Sequence, residues 1–253
     1  MSLALISYVW TAAMRDRLII AMLVMLALGA SVSVFLASAA LTEKDQFAAV
    51  LSAGGIRIVG ILGLVVFTVF FIRRSIESKD IELLLSRPFS RIQFVASYAI
   101  AFSMLATTIA LACAACLFAT APHLFGLGHV IWTATLILEY IIVVNIAFFF
   151  ALMLSSAAVS VMAVVAFYVL SRMMGQFLGI IKAGIAGEKS GWLENIMNII
   201  SMLTPRLDLL SQTTWLIYPI QNASELAFVA LQCLLILVII FIAALIDLLK
   251  RQF

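Results

Sequence analysis

Six long apolar stretches run through this chain, at residues 18–41, 48–72, 93–120, 131–154, 157–178 and 225–246, with short polar segments between them. Each is long enough to cross about 30 Å of hydrocarbon as a helix. Only Ser155 and Ser156 separate the fourth from the fifth, so these two form a tight antiparallel pair. Residues 1–17 have a different pattern: Tyr8 and Trp10 suit the headgroup level, and Arg15 and Arg17 end the segment. That predicts an elbow helix lying in the interface before the first span. Residues 179–224 form the largest segment between spans. There Trp192, Ile196, Ile199, Ile200 and Leu203 recur at helical spacing, with Glu194, Asn195, Asn198 and Ser201 on the other face. An amphipathic helix closed by Pro205 is expected. The pattern describes a single transmembrane domain over 1–253, an all-α polytopic membrane protein with six spans.

Between the second and third spans lies the one strongly charged island, residues 73–92. Ser78 is placed to cap a short helix whose first turn carries Asp80 and Glu82, acids favoured at a helix N-terminus. Ile81, Leu83, Leu84 and Leu85 give it an apolar side, and Pro88 ends it. Ser90 and Gln93 then have the spacing of a capping box that opens the third span.

Composition narrows the class. The chain is 66% hydrophobic and 11% charged, with a mean hydropathy of +1.24. Soluble domains run about 25% charged, so a soluble enzyme or a nucleic-acid-binding module is excluded. The net charge of +3 follows topology. Five of the fifteen Lys and Arg residues fall in 73–92, and nine in all lie on the side of that island. By the positive-inside tendency that side is cytoplasmic, which puts both termini in the cytosol. Residues 1–14 lack the early basic region of a secretory signal.

The residues from Glu77 to Arg91 resemble a known family. Glu77, then Glu82-Leu83-Leu84-Leu85-Ser86-Arg87-Pro88, then Ser90-Arg91 is similar to the segment between spans two and three in permease subunits of ATP-binding-cassette transporters of the second exporter type. That family usually has Gly-Lys where Ser97 and Tyr98 stand here. Its members also begin with an interfacial elbow, and many carry Pro-Arg-Leu-Asp before the last span, as at Pro205 to Asp208. The resemblance implies a cytoplasmic coupling helix contacting two copies of a cytosolic ATPase through Glu77, Asp80, Glu82, Ser86, Arg87 and Arg91. It implies a second permease subunit, identical or different, and a place among lipids in the bacterial cytoplasmic membrane. ATP and magnesium would be bound by the ATPase, with no cofactor in this chain.

Other chemistry is sparse. Gly184 to Ser190 lacks the glycine that precedes the lysine in a phosphate loop, so no nucleotide site is expected here. Cys113 and Cys116 form a C-x-x-C inside an apolar helix with no acidic or His neighbour, and with Cys233 they read as packing residues. His123 and His129 lack a third metal ligand nearby. Asn222 to Ser224 matches a glycosylation sequon, which the bacterial origin implied by the resemblance discounts. Arg57 is expected to snorkel to the outer interface, and Gly54, Gly55, Gly60 and Gly63 thin the same helix. Glu139 lies sixteen residues before Ser155 and Arg172 seventeen after it. Both therefore stand about 24–26 Å from the turn and are expected to pair. That pair is either a structural ion pair or a polar element of a transport path. Two further functions stay open: a non-transporting assembly or sensor subunit, and an intramembrane lipid-modifying enzyme built on Glu139 and Arg172.

Overall fold

The computed structural model describes residues 3–38, 44–78, 90–122, 125–182, 191–218 and 223–250. All regular structure among them is helical: α1 (Leu3–Arg15), α2 (Arg17–Ser38), α3 (Lys44–Glu77), α4 (Arg91–Thr120), α5 (Leu127–Met153), α6 (Ala157–Lys182), α7 (Gly191–Leu203), two short 3-10 turns and α8 (Ala223–Lys250). Six of these helices, α2 to α6 and α8, are long and apolar enough to cross a membrane. The chain is a multi-pass membrane protein. Most helices extend beyond the apolar runs; α3 starts at Lys44 and continues to Glu77, past both edges of the 48–72 stretch.

Helices α3, α4 and α5 form the centre, while α2, α6 and α8 leave much apolar surface outward. Close approach at the centre depends on a small residue. Gly60 of α3 faces the Tyr140 ring of α5, and a Cβ there would collide with the phenol. The Tyr140 hydroxyl donates to the Arg57 carbonyl at 3.1 Å and lies 3.4 Å from the Cys113 sulfur, joining three helices at one point. Cys113 is buried and packs as a small side chain.

Toward the other end of the bundle an aromatic cluster fills the space between α3, α4 and α5. Phe94 meets Tyr98 at 4.4 Å between ring centroids, Tyr98 stacks on Phe148, and Phe102 packs edge-on to Phe71. α1 lies against this cluster. Its Leu5, Val9 and Ala13, spaced four apart, are buried, while Tyr8 and Met14 are exposed. That split is what an interfacial helix requires.

Both helix ends that flank the charged island are braced. Arg73 donates to the Leu154 carbonyl at 3.0 Å and also to the Ser155 carbonyl, covering the C-terminal carbonyls of α5. Arg91 donates to Leu248 at 2.6 Å and Leu249 at 3.1 Å near the end of α8. Ser90 and Gln93 form the capping box, with the Gln93 N–H 3.2 Å from the Ser90 hydroxyl and the Ser90 N–H 3.3 Å from the Gln93 side chain. Residues 79–89, and with them the expected short helix, lie outside the described residues.

Because Tyr140 is fully buried and cannot swing away, Gly60→Ala should cost about 1–3 kcal/mol through overpacking. A thermal melt in detergent followed by circular dichroism would show it as a lowered midpoint.

Candidate functional site

The segment between α6 and α8 does not stay on the surface. α7 packs against α6, yet Ile196, Ile199 and Ile200 remain exposed, so its apolar side faces outward. After α7 the chain descends among the spans as non-helical backbone and two 3-10 turns, Leu207–Leu209 and Thr213–Leu216. Leu207, Leu210, Ser211 and Leu216 are buried. The depth can be gauged from the side chains that meet this loop. Thr135, which accepts the Ser211 N–H at 3.2 Å, is eight residues into α5, about 12 Å along it. Gln232 is nine residues into α8, about 14 Å along it. Measured from the helix ends, the segment enters the helix bundle as a re-entrant loop at the end opposite Arg73.

Non-helical backbone at membrane depth has carbonyls that neither a helix nor bulk water can satisfy. Here side chains from the spans supply the donors. Arg57 of α3 donates to the Ser211 carbonyl at 2.9 Å. Arg172 of α6 donates to Leu210 at 2.7 Å and to the Leu207 carbonyl as well. The Gln232 amide of α8 reaches the carbonyls of Ser201, Met202 and Thr204 at 2.8, 3.2 and 3.0 Å, capping the C-terminus of α7.

Arg57 is therefore turned into the bundle, half-buried, and does not snorkel outward. The loop carbonyl offers it a charge-assisted hydrogen bond inside the protein, and the lipid interface offers nothing so well placed.

The loop also braces itself. Arg206 and Asp208 form a two-point ion pair, Nε to Oδ1 at 3.2 Å and Nη2 to Oδ2 at 2.7 Å, within the Pro-Arg-Leu-Asp run. Gly175 of α6 makes room for the Asp208 carboxylate, which a Cβ would strike. Ser211 has φ 48°, the left-handed region that ordinary side chains avoid. Its carbonyl and its N–H are held from two different spans, and that double hold keeps the residue in a conformation costing about 1–3 kcal/mol.

Beneath the loop sits Glu139 of α5, with no exposed surface. The structure brings it to Arg172, 3.7 Å from Nη1 to Oε1. Tyr168, one turn before Arg172 on α6, donates its hydroxyl to the same oxygen at 3.0 Å. The second carboxylate oxygen is buried and meets no hydrogen-bond partner among the described residues. Arg172 thus has two tasks: it neutralises a buried acid and holds two loop carbonyls.

The sequence-derived candidates on the charged island separate from this cluster. Glu77 is exposed at the end of α3, and Arg91 is spent on the α8 carbonyls. Asp80, Glu82, Ser86 and Arg87 lie outside the described residues, as does His123. Among the described residues no three His, Cys, Asp or Glu side chains come together as a metal site. Sequence reasoning missed Tyr168, Thr135, Gln232 and the inward turn of Arg57. One signal was available: apart from Glu225 at the very start of the last, the apolar stretches hold two arginines, Arg57 and Arg172, and one acid, Glu139. One cation therefore had to find carbonyls. Compared with known proteins, the chain matches no family model, and no curated protein is similar to it.

Arg172→Ala should cost about 3–5 kcal/mol, because it strands a buried carboxylate. Adding Glu139→Gln should recover a large part, leaving the loss due to the loop carbonyls; thermal melts of both single variants and the double variant measure the coupling. Ser211→Gly should hold or raise the melting temperature, since glycine accepts positive φ freely, whereas Ser211→Val should lower it.

Proposed function

We propose that the chain is the membrane-spanning permease subunit of an ATP-driven exporter of the ATP-binding-cassette class. In this reading it sits in the bacterial cytoplasmic membrane with both termini in the cytosol. It works with two cytosolic ATPase subunits that bind ATP and magnesium and with a second permease subunit. The observation that carries the reading is the run from Glu77 to Arg91, an acid-and-leucine segment followed by Arg-Pro and Ser-Arg, set between two spans.

The braces around that run support it mechanically. The segment is entered from α3 just after Arg73, which binds the carbonyls at the α5–α6 turn. It is left through α4 at Arg91, which binds the end of α8. A push on the segment by a closing ATPase pair would reach α3, α4, the α5–α6 turn and α8 together. The far half of α3 carries Arg57, so the same push would load the re-entrant loop through Ser211. Glu77, Asp80 and Glu82 would meet basic or polar groups of the ATPase, with Ser86 and Arg87 completing the contact. Glu139, Tyr168 and Arg172 would form the polar part of the gate beneath the loop.

Purification of the tagged chain from native membranes in mild detergent, with mass spectrometry of what accompanies it, tests the reading. A stoichiometric soluble protein with a phosphate-loop motif is expected, and reversing the charges at Glu82 and Arg87 should release it. Recovery of the chain with no ATPase across several lipid conditions would overturn the proposal.

A further inference from the structure

Far from the re-entrant loop, a cleft of about 670 Å³ opens between α1, the start of α2 and the last turns of α3. Its volume lies in the range of sites for small molecules, about 300–1,000 Å³. Arg15, Arg17 and Arg74 line it from three different helix ends. None of the three guanidiniums forms a hydrogen bond or ion pair with a described residue, although those of the arginines at 57, 73, 91, 172 and 206 are all so engaged. Asp16 is the one acid among the described residues that line the cleft, and its Oδ1 accepts the Leu18 N–H at 2.8 Å, capping α2. Among the described residues, three cations against one carboxylate give the cleft a charge of +2. The rest of its wall is mostly apolar: Phe67 and Phe71 line it beside Tyr8 and Ser75, whose hydroxyl donates to the Phe71 carbonyl, and exposed Leu18 and Phe70 continue it outward.

We propose that this cleft is a binding site for the phosphate-bearing headgroup of an anionic phospholipid from the leaflet at the Arg73 end. The guanidiniums take the phosphate oxygens, which suit their planar donor fork. The acyl chains run along Leu18 and Phe70. A free phosphate ion would satisfy the arginines but leave the aromatic wall wet, whereas a phospholipid covers both. The site stands on geometry alone and does not depend on the transport reading. It would fasten the elbow helix to α3 through a lipid, next to the charged island.

Native mass spectrometry of the full chain in a neutral detergent tests it, with dioleoylphosphatidylglycerol and dioleoylphosphatidylcholine as probes. One phosphatidylglycerol should be retained well above phosphatidylcholine, each arginine contributing about fivefold. Arg74→Gln should lower that occupancy about fivefold. This side chain is exposed and makes no bond to a described residue, so the variant is expected to fold; circular dichroism verifies it. Lys44→Gln, at the opposite end of α3, should change nothing. Equal retention of the two lipids, or no loss in Arg74→Gln, would overturn the proposal. Displacement of phosphatidylglycerol by millimolar inorganic phosphate would also overturn it, by making the cleft a phosphate-ion site.

Discussion

Non-helical backbone within a membrane must be satisfied by the protein that surrounds it. In this chain the requirement falls on residues 204–211, and the spans meet it with four side chains from four helices: Arg57, Thr135, Arg172 and Gln232. Two of the four carry full charge, which would be costly in hydrocarbon without such partners. Loop and arginines are therefore each other's justification. The carbonyls make the guanidiniums affordable at that depth, and the guanidiniums let the loop descend. Glu139 completes the balance by compensating Arg172 while itself staying out of solvent.

The same bond type recurs at the other end of the molecule. Arg73 and Arg91 grip the carbonyls that terminate α5 and α8, as Arg57 and Arg172 grip the loop. α3 takes part at both ends: its Arg57 and Arg73 are sixteen residues apart, about 24 Å along a helix. Between them the helix is closely packed through Gly60 and Tyr140, with little slack.

Hydrophobic periodicity made most of the architecture legible. Six apolar runs became six helices, and Ser90 with Gln93 formed the capping box their spacing predicts. Counting residues from the Ser155 turn placed Glu139 and Arg172 at one height, and the structure puts them 3.7 Å apart. The path of the re-entrant loop was not legible, because a segment of mixed polarity reads alike whether it lies on a surface or is lowered into a bundle. Arg57 shows why. Snorkelling and inward bonding demand the same residue type in the outer half of a span, and only the position of Ser211, 154 residues later, decides between them. Tyr168 and Gln232 were hidden for a related reason: a single polar side chain on an apolar helix declares its partner only in three dimensions.

The long sequence separation of Arg57 from its acceptor has a consequence for biogenesis. During synthesis α3 emerges with a cation whose acceptor, the Ser211 carbonyl, does not yet exist. Until α6 and the loop are made, that arginine must rest in water or at the headgroups, so α3 cannot take its final depth when it first leaves the ribosome. Arg172 meets its own acceptors only 35 and 38 residues later, soon after α6 itself is complete. The bond from Arg57 to the loop is therefore one that the chain can make only after both α3 and α6 have been synthesised.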